Sequence, residues 1–462
     1  MIVIPRGVCR AFPALARKCL SGRPRGPAPM VVCEVTAGTL AVWARTADAV
    51  LAYSAPCGGA TGEERVVVPM TVLAAVGGPG TEPVELAVGP GLVGEARFSD
   101  RGVPTAHPFE AILPGRQHQL PEPPDAWHPV GPDFPAALHE CGRTAAKDAT
   151  RFALTRLQLR GKAGQVVATD GRTALVWGGF SFPFAADLLV PAVPVFGARE
   201  LASGVEVRVG RTATHLVVES GPWRVFLAVD TAGRYPDVAG IVPRDAPTVA
   251  GIDEADAAAL ADRLPDLPGA DAECRPVTLA LDRGVVVLAR DDKTGAVERV
   301  RLEGSPSAGP RARVVIDRRV LARALALGCH TVRVAGDKPV VFEGGGRTFI
   351  TVALDPSLAV AADTAADLAT VTDVTNTTIT DRRIALRHET NGHAPNGRHD
   401  PPAADAPDPL AAAEELRLAL GDALAKAGRL VAALKCRKKE QRALTQVWSS
   451  LKALNLAPGG QP

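Results

Sequence analysis

Aromatic residues are scarce in this chain of 462 residues: they make up 4% of it, and only two are tyrosines. A large core must therefore be built from Val, Leu and Ala, which the hydrophobic content of 46% allows. Long apolar runs are also missing, since none reaches the ~18 residues that a membrane-spanning helix needs. Arg6 and Arg10 interrupt the apolar N-terminus, which argues against a signal peptide. We expect a cytoplasmic protein that has no membrane partner.

The sequence offers no sign of cysteine or metal chemistry. The eight cysteines are spread along the chain without a C-x-x-C pair, which argues against a zinc site, a redox motif and a disulfide framework. The chain also lacks the G-x-x-x-x-G-K-[ST] phosphate loop, the H-E-x-x-H metal motif and the G-x-S-x-G nucleophile motif. We therefore predict a protein that is not an enzyme and binds no metal or cofactor.

One pattern occurs three times, at residues 65–89, 188–210 and 313–336. In each copy a β-branched run is followed by a short helix-like stretch and then by a strand-like run that ends in Gly. A helical pattern opens each unit, as in "RGVCRAFPALARKCL", and strand-like alternation fills the remainder. Pro-rich segments separate the units. Because each unit has about 120 residues, the usual size of a domain, we predict three tandem α+β domains.

The predicted domains cover residues 1–127, 128–247 and 248–358. Residues 359–409 are rich in Ala, Thr, Asp, Asn, Gly and Pro, which is typical of a disordered linker. From 410 to 456 a helical pattern has apolar residues seven apart, as in a coiled coil. A short helical hairpin and a self-associating helix are both compatible with this tail.

Three segments match a known family in the order in which the family has them. They are "SGRPRGPAPM" after the first helix, "VVATDGRTALVW" in the second unit and "VDTAGRYPDVAGIVP" at that unit's end. Over residues 1–358 the chain resembles the β sliding clamp of bacterial DNA polymerase III. The resemblance implies clamp-type domains, each of two helices packed on β-sheets. It also implies a head-to-tail homodimer that encircles double-stranded DNA, tethers a DNA polymerase and meets a clamp loader.

A clamp holds DNA without reading its bases, so it needs basic side chains near the phosphates. Residues 6–25 carry six basic residues and no acid, and a second basic group lies near the second unit's first helix. A solvated helix face is the alternative interpretation of such a cluster. We expect DNA contact from Arg6, Arg10, Arg17, Arg23, Arg25, Arg143, Lys147 and Arg151.

The helix that opens the third unit has the opposite charge. A clamp should present this helix to DNA, where carboxylates repel phosphates. Arg263 is the only nearby base. These acids favour a second function, that of a clamp-like scaffold with altered partners and without full processivity. The acids are Asp253, Glu254, Asp256, Asp262, Asp266 and Asp271.

Clamp partners insert a short peptide into an apolar pocket between the second and third domains. Asp170-Gly171 lies between two β-rich runs, which predicts a hairpin turn whose flank forms the pocket rim. The family's closing Met-Pro-Met-Arg-Leu is here "LDPSL", so an acid replaces a soft, adaptable Met pair. By the resemblance the pocket residues are Thr169, Gly171, Arg172, Pro243, Val249, Leu354 and Pro356.

The family usually ends near the position of residue 358, whereas this chain runs on to residue 462. The extension leaves from the edge of the pocket, so we hypothesise that it folds back over the pocket or offers a docking helix; "QRAL" (441–444) faintly resembles the Gln-led peptides that clamps bind. If it covers the pocket, deleting residues 359–462 will raise the affinity for a polymerase-derived peptide in a fluorescence anisotropy titration. Unchanged affinity would contradict the hypothesis.

Overall fold

β-structure dominates the chain, and the strands form four sheets with short helices packed against them. This sheet-rich α+β content agrees with the predicted fold class. The computed structural model describes residues 1–20, 29–57, 62–79, 82–148, 153–202, 206–243, 245–272, 274–360 and 371–373.

The first stretch of the chain forms two four-strand arrays, ordered β1-β6-β7-β8 and β5-β2-β3-β4. Helix α1 packs against α2 and β4 through an apolar face that includes Val8, Phe12 and Leu15. The elements are β1 (Ile2–Pro5), α1 (Arg6–Leu20), β2 (Met30–Thr36), β3 (Thr39–Arg45), β4 (Ala49–Pro56), β5 (Glu64–Pro69), α2 (Met70–Val76), β6 (Pro83–Val88), β7 (Val93–Asp100) and β8 (Val103–Glu110).

The second stretch repeats this order of elements, with arrays β9-β14-β15-β16 and β13-β10-β11-β12. Phe134 of its first helix packs against Phe180 at 5.3 Å and Phe182 at 5.7 Å between ring centroids. The elements are β9 (His128–Pro129), α3 (Phe134–Thr144), β10 (Arg156–Arg160), β11 (Gln165–Thr169), β12 (Thr173–Trp177), β13 (Leu188–Pro191), α4 (Arg199–Ala202), β14 (Val207–Arg211), β15 (His215–Ser220) and β16 (Trp223–Ala228).

The third stretch has arrays β17-β23-β24-β25 and β22-β18-β19-β20, with a short extra strand, β21, beside β17. The elements are β17 (Thr248–Gly251), α5 (Glu254–Arg263), β18 (Pro276–Leu281), β19 (Val285–Arg290), β20 (Val297–Leu302), β21 (Ser307–Ala308), β22 (Ala312–Asp317), α6 (Arg318–Ala326), β23 (Thr331–Val334), β24 (Val340–Gly344) and β25 (Arg347–Thr351).

Strand pairing joins one stretch to the next. β4 pairs with β16 in antiparallel fashion, from Ala49–Leu227 to Tyr53–Trp223. β12 pairs with β25 in the same way, from Thr173–Thr351 to Trp177–Arg347. The arrays therefore fuse into an eight-stranded and a nine-stranded sheet, and β8 and β20 remain as the last strands of their own arrays.

One more strand, β26 (Val371–Asp373), pairs in parallel with β20. It lies inside the segment that we expected to be a linker. The rest of that linker and the predicted helical tail, 410–456, lie outside the described residues.

The sequence repeat corresponds to real elements: its three copies become β5-α2-β6, β13-α4-β14 and β22-α6-β23. Residues 1–379 form one compact unit, so the division into three domains stays a prediction. The core is built mainly from Val, Leu and Ala, as the composition predicts.

Two buried arginines each connect the start of one helix of a pair to the end of the other helix. Arg6 begins α1 and donates from Nε to the carbonyl of Val76, the last residue of α2, at 3.1 Å. Arg318 begins α6 and donates to the carbonyls of Leu264 and Leu267, just after α5. A cation at a helix C-terminus satisfies carbonyls that lack helical partners and favours the helix dipole. Arg6 therefore stabilises the packing of α1 against α2, and Arg318 stabilises that of α6 against α5.

Replacing Arg318 by Met is expected to lower the free energy of unfolding by about 2–4 kcal/mol, because several buried carbonyls lose a charged donor. Urea unfolding followed by circular dichroism measures this change. Arg311→Met is the control: its side chain is 77% exposed and pairs with Asp282 on the surface, so we expect a change within about 0.5 kcal/mol. Equal effects of the two variants would contradict the assigned role.

Candidate nucleic-acid interface and peptide groove

Helix α1 presents a purely basic face to solvent. Arg10, Arg17 and Lys18 are exposed together with the small residues Gly7 and Ala14, while the larger apolar residues of the helix are buried. Arg10 and Arg17 are seven residues apart and therefore lie on the same side of the helix. α1 contains no acid, so nothing within the helix offsets this charge. The face is suited to anionic polymers such as a phosphate backbone.

Arg6 belongs to the same predicted group but has a different environment. It is buried, and its guanidinium also bonds the Ser99 carbonyl at 2.7 Å and the Asp100 carboxylate at 2.8 Å. These bonds hold Arg6 inside the fold, so it does not belong to the exposed basic face of α1. Arg23, Arg25 and Arg151 lie outside the described residues.

Helix α3 supplies the second basic group. Arg143 is exposed near its C-terminus and pairs with Glu140 at 3.0 Å, one turn earlier. Lys147 is exposed just beyond the end of the helix. The structure therefore leaves both predicted side chains accessible, although Glu140 offsets part of the charge of Arg143.

A positively charged groove lies between α3 and α6. Arg323 of α6 donates to the carbonyl of Glu140 at 2.7 Å and to the Thr144 hydroxyl at 2.8 Å. Burial lowers the pKa of Arg323, which the neighbouring Glu140 carboxylate partly counteracts. The cavity has about 520 Å³ and is lined by Glu140, Arg143, Trp177, Arg319, Ala322, Arg323, Ala326, Leu327 and Arg347.

Arg347 is a groove residue that the sequence analysis missed. Its guanidinium lies 4.0 Å from the centroid of the Trp177 ring and donates to the Leu327 carbonyl at 2.7 Å. These residues belong to β25, β12 and the end of α6. Only the pairing of β12 with β25 brings them together, so no local sequence signal marks them.

The acids around α5 divide into two classes. Asp253 caps the helix by accepting from the Ala255 N–H, and Asp256 accepts from the Gly304 N–H and the Ser305 hydroxyl. Asp271 pairs with Lys293, and the bond to this ammonium lowers its pKa. The other three, Glu254, Asp262 and Asp266, are exposed like Asp253 and Asp271 but have no hydrogen bond or ion pair among the described contacts. Structural roles thus account for half of the acidic cluster, and the rest leaves this helix negatively charged.

The Asp170-Gly171 segment forms the predicted hairpin between β11 and β12. The Asp170 carboxylate accepts from the N–H groups of Arg172 at 2.8 Å and Thr173 at 2.7 Å. Gly171 has a φ of +89°, which favours glycine. The Thr169 hydroxyl donates to the Thr173 carbonyl at 2.7 Å. The turn is therefore held by its own side chains.

An apolar cluster lies beside this hairpin. Val167 and Ala174 of the hairpin strands pack with Val238 and Ile350. Tyr235, to which the sequence alone assigns no role, packs against the cluster. Its hydroxyl accepts from the Thr169 N–H at 3.0 Å, and burial raises its pKa. This bond fixes the base of the turn against the following segment.

The third stretch of the chain adjoins the hairpin through Val352. Its N–H donates to the Arg172 carbonyl at 3.0 Å, and its side chain is 56% exposed. Ile241 is 48% exposed on the segment that carries buried Pro243. Ile241 follows the cluster residue Val238, and Val352 follows the cluster residue Ile350. An exposed apolar side chain therefore lies just after the cluster on each of these two segments.

The remaining predicted pocket residues differ in placement. The Leu354 N–H donates to the Val315 carbonyl, and Pro356 is exposed in a turn that Asp355 caps. Val249 lies on β17, and β25, β24 and β23 separate that strand from β12. The structure brings Thr169, Gly171 and Arg172 together with Val352, and it sets Val249 apart from them.

The buried thiols of Cys9, Cys19 and Cys329 carry no accessible chemistry. Burial raises the pKa of Cys9 and Cys19 to about 12 and that of Cys329 to about 11, so they stay protonated and unreactive. Within the described ranges no group of His, Cys, Asp and Glu is arranged to hold a metal ion. None of the helices described there has the length and hydropathy to cross a bilayer.

Solved structures with the same fold include bacterial clamps. A DNA polymerase sliding clamp from Pseudomonas aeruginosa superposes with a TM-score of 0.63 at 14% identity, covering 77% of this chain and 99% of that chain. The DNA polymerase III β subunit from Thermotoga maritima has a TM-score of 0.62 at 14% identity, with the same coverage. The β subunit from Borrelia burgdorferi has 0.63 at 12%, again with that coverage. The chain therefore has the sliding-clamp fold, which confirms the resemblance at the level of fold. No protein-family model and no curated sequence matches it.

Replacing Tyr235 by Phe removes the acceptor of the Thr169 N–H and is expected to lower the free energy of unfolding by about 1–2 kcal/mol. Tyr53→Phe is the matched control, since it alters the only other tyrosine, for which the described residues show no hydroxyl bond. Urea unfolding at pH 7 compares the two variants. A larger loss from Tyr53→Phe would contradict the importance of the Tyr235 bond.

Proposed function

We propose that this chain is a DNA sliding clamp, a replication processivity factor that encircles duplex DNA as a head-to-tail ring of two chains and tethers a DNA polymerase. The observation that carries the proposal is the strand pairing between successive repeats. Each joint uses the last strand of one array and the last strand of an array in the next repeat, as β4 with β16 and β12 with β25.

The same pattern of pairing between the last strands of arrays supports a closed ring. After the two internal joints, the matching strands left over are β20, near the end of the repeats, and β8, near their start. β8 is the counterpart of β16 and β25, and β20 is the counterpart of β4 and β12. We propose that β20 of one chain pairs with β8 of the other, and that the second such joint closes the ring.

In this ring the helices face the DNA. Arg10, Arg17, Arg143 and Lys147 contact phosphates without reading bases, which lets the clamp slide. Arg23, Arg25 and Arg151 join this set by the resemblance. Lys18, at the end of α1, adds to the same positive surface.

The peptide groove beside the Asp170-Gly171 hairpin takes partner peptides from a DNA polymerase and a clamp loader. Thr169, Gly171, Arg172 and Pro243 form its rim, with Val352 as the exposed apolar neighbour. Val249, Leu354 and Pro356 belong to the groove by the resemblance alone. The protein is non-catalytic in this proposal and acts in the cytoplasm, where its DNA lies.

The second candidate function is a clamp-like scaffold without full processivity. The exposed carboxylates of Glu254, Asp262 and Asp266 favour it, because they place negative charge on and just after α5, the helix that matches basic α1. An acid in the closing segment, Asp355, also changes the peptides that the groove accepts. A scaffold keeps the fold and the partner groove but is not retained on DNA.

Retention on nicked circular DNA separates the two functions. After loading, a clamp stays on circles through gel filtration and slides off when the circles are linearised, whereas a scaffold is not retained on either.

Arg10→Glu/Arg17→Glu is expected to weaken binding to linear DNA by about tenfold or more at low salt, because each phosphate contact contributes strongly to the affinity. Arg97→Glu/Arg211→Glu, on strands β7 and β14, is the charge-matched control and should bind like the wild type.

A further inference from the structure

The ring-closing joint has an unusual strand on one side. β8 is the fourth strand of its array, as β16 and β25 are of theirs. β16 and β25 contain no proline, whereas β8 has Pro104 and Pro108. Since proline has no N–H group, its effect depends on which side of β8 it faces.

The hydrogen bonds of β8 settle that direction. The Ala111 N–H donates to the Leu92 carbonyl at 2.8 Å, in continuation of the ladder with β7. Successive residues of an antiparallel strand alternate between facing one neighbour and the other. The backbone groups of Phe109, His107, Thr105 and Val103 therefore face β7. Those of Pro104, Ala106, Pro108 and Glu110 face outward, toward the partner strand of a ring.

Half of the donors on this edge are thus missing. Of the four outward-facing residues, only Ala106 and Glu110 have an N–H group to give. At each proline a pairing strand forms one hydrogen bond in place of two, and one of its own carbonyls is left without a donor. Prolines on edge strands are a known means of discouraging strand addition.

The other side of the joint is occupied by the chain itself. β26 pairs in parallel with β20, with Val371 opposite Arg299 and Asp373 opposite Arg301. A strand has one outer edge once its other side is paired, and β20 already pairs with β19. β26 of the same chain and β8 of a second chain therefore need the same backbone groups of β20.

We propose that ring closure in this protein is conditional: the residues 371–373 segment competes with β8 of a second chain for the outer edge of β20, and Pro104 and Pro108 keep β8 the weaker competitor. This inference rests on the proposed ring function. It gives the chain two states, one with β20 paired internally and one closed around DNA. The two states exchange one set of backbone hydrogen bonds on the outer edge of β20 for another.

The test is the dissociation constant of the two-chain form, measured on full-length protein by sedimentation equilibrium. Pro104→Ala/Pro108→Ala restores two donors at each of two joints and is expected to tighten association at least about tenfold. Ala106→Pro removes a remaining donor and should weaken it. The Ala106 N–H faces away from β7, so thermal melts of this variant should match the wild type.

Two further variants complete the design. Pro83→Ala, at an exposed proline of the inner strand β6, is the matched control and should leave association unchanged. Val371→Pro/Thr372→Pro disables β26 and should tighten association if the segments compete. An unchanged constant for Pro104→Ala/Pro108→Ala would overturn the weakened-edge proposal while the ring function stands, and an unchanged constant for the β26 variant would overturn the competition. If no variant associates at any concentration, both this proposal and the ring fail.

Discussion

Backbone hydrogen bonding at sheet edges is the constraint on which the rest of this structure depends. An unpaired strand edge exposes a row of donors and acceptors that another strand satisfies. This chain pairs β4 with β16 and β12 with β25, so two of its sheets run from one repeat into the next. The joints fix where the helices and loops of neighbouring repeats meet. The positively charged groove between α3 and α6 lies at the Trp177–Arg347 end of the β12–β25 pair, and the proposed rim of the peptide groove lies at its Thr173–Thr351 end.

Charge on the helices follows a second pattern, which the fold does not impose. α1 and α5 occupy matching places, yet the first is purely basic and the second is largely acidic. Asp253 and Asp256 accept backbone hydrogen bonds at the start of α5. Glu254, Asp262 and Asp266 have no such contacts among the described residues, so they leave negative charge on and just after α5.

Much of the fold could be predicted because its signals are local. The Asp-Gly hairpin, the apolar face of α1 and the repeated strand-helix-strand pattern are all visible within a short window of sequence. The role of Arg6 was not, because its partners Val76, Ser99 and Asp100 are far along the chain. Tyr235 and Arg347 were missed for the same physical reason. Their contacts exist only after strands and loops distant in sequence have come together.

The most direct test of the account is amide hydrogen exchange on segments 103–110 and 297–302, measured by mass spectrometry at low and high protein concentration. If β8 of one chain pairs with β20 of another, protection in 103–110 will rise with concentration, carried by the amides of Ala106 and Glu110. Segment 297–302 will keep or gain protection at the same concentrations. Association that leaves 103–110 fully exchanging would contradict edge pairing as the joint that closes the ring.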